Sequence, residues 1–202
     1  SEMCIRDRFT ANAALAALAY RNRTGKGQHI DCALLDSQVA MLANQSANWL
    51  NAEFCPTRMG NHHPSVVPYS VYKAADGFVI VACGNDKQFI RLTAALGLPA
   101  LADDPAFTTN EARIKNRDRL DLELGNAVMA FDRETVITLL EKAGVSCGPI
   151  NDIAEVFDDR QVQARGLRID QQRSDNTSIS STAFPAKLSE TPAHYHSAPP
   201  LL

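Results

Sequence analysis

The sequence predicts an α/β protein: a layered α/β segment, a linker, a small α+β unit and a final return to strands. Three observations predict it. The first fifty residues run through helix, tight-turn, strand and helix patterns. Residues 51–68 hold Pro56, Gly60, Pro64 and Pro68 with little periodicity. Beyond them an Asp76-Gly77 turn joins two strand-like runs, and a series of helical patterns follows.

The elements follow in order. Residues 11–23 are rich in Ala and Leu, strong helix formers, and carry Arg21 and Arg23 where a helix dipole favours cations. Gly25 and Gly27 stop this helix. Residues 29–34 alternate polar and apolar, a strand pattern. Asp36 is a helix N-cap, and Val39, Met41, Leu42, Trp49 and Leu50 suit the apolar face of the helix that follows. Residues 69–74 and 78–83 read as a hairpin about Asp76-Gly77. Asp86 caps a helix over residues 87–96, ended by Gly97-Leu98-Pro99. Helical patterns cover residues 110–131, 133–143 and 153–165, with a turn at Cys147-Gly148-Pro149. Residues 167–172 and 177–183 read as two strands around Ser174-Asp175-Asn176, before a proline-rich tail.

Composition bounds the function. With 45% hydrophobic and 21% charged residues the chain is neither disordered nor collagen-like, and its net charge of −3 lacks the basic excess of a nucleic-acid binder. No run of ~18 apolar residues marks a membrane span. The apolar stretch at residues 13–20 is followed by Arg21-Asn22-Arg23 instead of a signal-peptide cleavage site, so a soluble, cytoplasmic protein is expected. The five cysteines are dispersed without a C-x-x-C, which argues against a zinc cage or disulfide framework and for small buried hydrophobes.

Few residues carry a chemical signature. Thr24-Gly25-Lys26-Gly27-Gln28 lacks phosphate-loop spacing and lies between a helix and a strand, so it reads as a turn. Arg21, Arg23 and Lys26 suit either an anion or a solvated helix end. His62-His63 has neither the i, i+4 spacing nor the carboxylate neighbours of a zinc site; no metal is expected. As part of a glycine-containing loop, the pair reads either as a substrate contact or as plain loop. The charged run Glu111, Arg113, Lys115, Arg117, Asp118 and Arg119 reads as an exposed helix face with local ion pairs. No G-x-S-x-G, H-E-x-x-H or dinucleotide fingerprint occurs.

Several segments together are more specific. Residues 11–18, Arg21-x-Arg23-Thr24-Gly25-Lys26-Gly27-Gln28-His29-Ile30-Asp31 and Leu34-Leu35-Asp36-Ser37 come first. Residues 60–69 (GNHHPSVVPY), Asp76-Gly77-Phe78 and Gly84-Asn85-Asp86-Lys87-Gln88-Phe89 follow. Asn110-x-x-Arg113-x-x-Asn116-Arg117 and Gly148-Pro149-Ile150-Asn151, with Val156-Phe157 and Gln161-Val162, complete the set. In this order the chain resembles, over about residues 9–202, the class III CoA-transferases, the CaiB/BaiF group that includes formyl-CoA transferase. It is most similar to the branch acting on short dicarboxylic acids, such as succinyl-CoA:glutarate transferase.

The resemblance implies a mechanism in which an aspartate carboxylate attacks an acyl-CoA thioester and, through an anhydride, becomes an aspartyl-CoA thioester from which the acceptor acid collects CoA. Coenzyme A is then part of the substrate, with no permanently bound cofactor. It implies a substrate-contacting loop at Gly60, Asn61, His62 and His63, whose backbone N–H groups face a developing oxyanion. The loop departs from the family's glycine run, which leaves its donors and acyl specificity open. The implied architecture is a Rossmann-like large domain built from both chain ends, a small domain between, and an interlocked homodimer. Residues 9–50 then end the N-terminal part of the large domain, 51–68 are linker and active-site loop, 69–165 the small α+β domain, and 166–202 the return segment.

The family's nucleophile belongs to a D-x-x-T-G stretch before the Ala-rich helix, and an ungapped register places that aspartate at Met3. Asp7 mimics part of the motif only with a four-residue deletion. The expectation is that Ser1 to Arg8 is foreign or junction sequence and that the chain is an N-terminally truncated fragment, inactive alone and exposing apolar surface. Two other readings stand beside a CoA-transferase acting on an acyl-CoA and a small carboxylic acid. One is an acyl-CoA racemase of the same fold family, exchanging an α-proton by acid/base chemistry. The other is a non-catalytic assembly or binding module.

Overall fold

A computed structural model describes residues 2–199. The chain divides into two compact units, one up to Met59 and one from Gly60 onward.

The first unit is helical. Helix α1, Glu2–Thr24, begins nine residues before the Ala-rich segment and runs unbroken through residues 2–10. It closes where the Gly25 N–H donates to Arg21 O. The strand expected at residues 29–34 does not form. Strands are held by a neighbour's backbone groups, and among the described residues of this unit there is no other strand to pair with. The helix expected after Asp36 is two helices, α2 (Leu34–Ala40) and α3 (Asn44–Ala52), separated at Ala43, whose φ is 47°. Ala33 occupies the N-cap of α2, and Asp36 lies in the first turn, where its charge still complements the dipole. Among its described residues only Ser37 is buried. Leu35, Leu50 and Trp49 are 72%, 77% and 54% exposed, so the apolar face predicted for this segment has no core beneath it.

The second unit has a core. Strands β1 (Tyr69–Lys73) and β2 (Phe78–Ala82) form the expected hairpin, with Lys73 opposite Phe78. Helices α4 (Asp86–Ala95), α5 (Ala100–Asp103), α6 (Asn110–Lys115), α7 (Arg117–Met129) and α8 (Arg133–Lys142) follow. Residues 147–149, expected as a turn, instead lie in strand β3 (Ser146–Pro149), antiparallel to β2 with Cys147 opposite Val81. Gly and Pro are poor strand formers, which hid it; β3 is an edge strand, where the missing proline N–H is tolerated. Helices α9 (Ile153–Asp158) and α10 (Arg160–Ala164) replace the single helix expected at 153–165. Strands β4 (Arg168–Gln172) and β5 (Ser178–Thr182) pair as a separate hairpin.

Tyr72 from β1, with Val79 and Val81 from β2, faces the core. Helix α7 contributes Leu120, Leu124 and Val128, one face at i, i+4 spacing. Asn85, one residue before the expected Asp86, caps α4 by accepting from the Gln88 N–H. At the hairpin turn Asp76 accepts from the Arg133 N–H at 2.8 Å, and the Arg133 side chain crosses Gly77 so closely that a Cβ there would meet it at 2.9 Å.

The largest departure from the sequence reading lies in the charged run. Arg113 is not on an exposed face: its side chain is completely buried. Nε donates to Val67 O at 2.7 Å, Nη1 to Phe107 O at 2.8 Å and Nη2 to Asp86 Oδ1 at 2.7 Å, and the guanidinium lies over the Phe89 ring at 4.5 Å. A buried charge is tolerated when each of its three nitrogens finds an acceptor in this way.

Two outcomes follow. Arg113→Leu leaves two carbonyls without their donor, at ~1–3 kcal/mol for each buried unsatisfied group. Urea denaturation is therefore expected to show a loss of roughly 3–5 kcal/mol, with Lys115→Leu at the exposed i, i+4 pair nearly neutral. The 202-residue chain by itself is expected to self-associate through its exposed apolar helices, giving a mass above 22.0 kDa by light scattering.

Candidate functional site

The candidate loop, Gly60 to Pro68, lies immediately before β1 in the second unit. Gly60 has φ +61°, the left-handed region that favours glycine, and a Cβ there would meet nothing within 4 Å. Conformation, and not crowding, calls for glycine at that position.

The remainder of the loop is held by residues of α6 and the start of α7. Asn110 Nδ2 donates to Ser65 O at 2.9 Å while its Oδ1 accepts from the Val67 N–H at 3.0 Å. Arg113 takes Val67 O, as described. Arg117 Nη2 donates to His63 O at 2.9 Å and Pro64 O at 3.3 Å. The Cys83 N–H donates to Pro68 O at 2.9 Å. Asn110, Arg113 and Arg117 recur at helical spacing, and that periodicity of polar residues is the signal by which the sequence reveals a loop-holding face. Read only as charge, the same run looks solvated.

The two histidines play different parts. His63 is built into the loop. Its N–H donates to Tyr69 O at 2.9 Å, its ring stacks on Tyr69 at 5.3 Å, and its Nδ1 accepts from the Ser65 N–H at 3.1 Å. His62 is half-buried, with Nδ1 3.4 Å from Asp121 Oδ2. That atom is buried and has no hydrogen-bond partner. Asp121 Oδ1 accepts from Tyr72 Oη at 2.5 Å. Burial first, and then the Asp121 carboxylate, pushes the Tyr72 phenol far above its ordinary range, so it remains a donor. Asn61 is exposed.

Elsewhere, burial pushes the Cys83 thiol up to about 11, so it is protonated at neutral pH and is no nucleophile. Asp7 lies on α1 in the first unit, exposed and paired with Arg6 at 3.0 Å; Met3 lies on the same helix. Thr24 ends α1 and the chain bends at Gly25, φ 71°, with Thr24 Oγ1 accepting from the Lys26 N–H at 3.2 Å. Among the described residues no group of three or more His, Cys, Asp or Glu side chains converges as metal ligands, and no helix is long and apolar enough to cross a membrane.

The sequence matches the model of CoA-transferase family III over residues 8–202. The chain belongs to this family. It is 44% identical over 194 residues to a succinate–glutarate CoA-transferase of Agrobacterium fabrum, covering 96% of this chain and 48% of that protein. It is 36% identical to the succinyl-CoA:glutarate CoA-transferase of Mus musculus, covering 96% of this chain and 44% of the relative. Among solved structures, a CaiB/BaiF family protein from Brucella suis superposes with a TM-score of 0.81 at 40% identity, over 98% of this chain and 51% of that one. The family III chain thus spans about half the length of the relatives it matches. The mixed helix-and-sheet architecture expected from the sequence is the one these neighbours share.

Arg117→Met is expected to loosen the loop without unfolding the unit. Losing hydrogen bonds from a charged donor, worth ~1.5–3 kcal/mol, lowers hydrogen-exchange protection of the His63 amide by roughly tenfold or more, with Val79 and Val81 amides unchanged.

Proposed function

We propose that the protein to which this chain belongs transfers CoA from an acyl-CoA donor to a short dicarboxylic acid. One observation carries the proposal: 44% identity, across 96% of this chain, to an enzyme named succinate–glutarate CoA-transferase. In this reading an aspartate that residues 9–202 do not supply attacks the donor thioester carbonyl and expels CoA thiolate, leaving an acyl-aspartyl anhydride. The thiolate returns to the aspartyl carbonyl and releases the donor acid. The acceptor carboxylate then attacks the aspartyl-CoA thioester, and the thiolate expelled from it attacks the acceptor's carbonyl, freeing the aspartate. Every bond broken is matched by one formed, and no oxidant or metal takes part.

The loop from Gly60 to His63 faces this chemistry. The His63 amide is committed to Tyr69, so an oxyanion donor from the loop comes from the amides before it. Coenzyme A arrives with the substrate, and no permanently bound cofactor is invoked. The protein acts in the cytoplasm, away from membranes and nucleic acids, as an interlocked homodimer. Residues 9–50 and 166–202 belong to its large domain, 51–68 to the linker and site loop, and 69–165 to its small domain.

Full-length protein incubated with succinyl-CoA and glutarate is expected to yield glutaryl-CoA and succinate in equal amounts by mass spectrometry. Failure to move CoA to any short dicarboxylic acid overturns the proposal.

A further inference from the structure

The orphaned nitrogen of His62 is the feature the loop's own architecture leaves unexplained. One edge of the ring is turned inward, with Nδ1 buried and unbonded, while the side chain as a whole is 36% exposed. The inward edge faces Asp121 Oδ2 at 3.4 Å, close enough for a hydrogen bond but not aligned for one. A small rotation of the ring aligns the pair, and site hydrogen bonds commonly tighten when substrate binds.

The carboxylate opposite is itself fixed. Asp121 Oδ1 is occupied by the buried Tyr72 hydroxyl at 2.5 Å, which turns Oδ2 toward His62. Tyr72 is anchored in β1 opposite Val79, and Asp121 sits beside buried Leu120 on α7. The pair is therefore set by helix-on-sheet packing and not by the loop. Arg117, one turn earlier on the same helix, grips the loop backbone at His63 and Pro64. One helix face thus fixes both the backbone and a side chain of the loop. His63 needs no such arrangement, because its ring is already held by Tyr69 and Ser65.

We propose that Asp121 and Tyr72 are positioning residues that orient His62 so that its open Nε2 edge binds the far carboxylate of the dicarboxylic acid. An imidazole bracketed by two carboxylates donates from both nitrogens, through Nδ1 to Asp121 and through Nε2 to the ligand. This assignment rests on the CoA-transfer reading above and names what its loop recognises.

The test uses full-length protein. His62→Ala and Asp121→Asn are expected to raise KM for glutarate roughly tenfold or more, the loss of one charge-assisted hydrogen bond, with kcat nearly unchanged. His62→Gln, which keeps an N–H donor near the Nε2 position, recovers part of the loss. Nitrogen-15 NMR of labelled histidine reports the ring directly: the protonated Nδ1 signal of His62 moves in Asp121→Asn, and less in Tyr72→Phe. A fall in kcat at constant KM, or an Asp121→Asn protein with both KM and the Nδ1 signal unchanged, overturns the assignment while leaving the transferase reading intact. Wild-type protein that transfers no CoA to glutarate overturns both.

Discussion

A single buried guanidinium ties the second unit together. Arg113 joins the carbonyl of Val67 ahead of β1, the carbonyl of Phe107 ahead of α6 and the carboxylate of Asp86 at the start of α4. These three segments are far apart in sequence, and the Val67 and Phe107 carbonyls lie outside helices and strands, without a partner from regular structure. A planar fork with donors on several sides meets all three at once, which the point charge of a lysine does not. The aromatic face of Phe89 beneath it completes the charge's surroundings. Removing water from such a group is costly, so its place depends on every partner being present, and the partners in turn depend on it.

The candidate site inherits its rigidity from that arrangement. Asn110, Arg113, Arg117 and Asp121 follow one another along α6 and α7 at intervals of three, four and four residues, a helical spacing kept across the break at Asn116. Each contacts either the segment from His62 to Val67 or a side chain in it. Loops that carry function commonly sit on a rigid scaffold. Here the scaffold reaches the loop mainly through its carbonyl oxygens, fixing its course while leaving the Asn61 side chain exposed and His62 partly exposed.

The first unit shows the opposite condition. Its helices satisfy their own backbone hydrogen bonds, but their apolar side chains meet no core, and Leu15, Leu35 and Leu50 remain mostly exposed. Helix formation is decided within the segment; burial and strand pairing are not. The segment at residues 29–34 carries a strand pattern, yet residues 29–33 form neither helix nor strand and Leu34 opens α2.

The sequence by itself determined several local elements and the family. Ala-rich and i, i+4 patterns placed α1, α4, α7 and α8, Asp76-Gly77 placed the β1–β2 hairpin, and the ordered motifs between Ala11 and Val162 pointed to the CoA-transferases that the family match shows. Those features depend on neighbours in the chain or on residue identity. Only the tertiary structure decided that Gly148-Pro149 belongs to an edge strand, that Arg113 is a core residue among exposed charges, and that His62 and His63, adjacent in sequence, have separate roles. Each of those outcomes depends on groups many residues distant: β2 for the strand, Val67 and Phe107 for the guanidinium, Tyr72 and Asp121 for the imidazole. Charge and polarity in a sequence state what a side chain can bond, and only folding brings it the partner that settles whether it faces solvent, core or ligand.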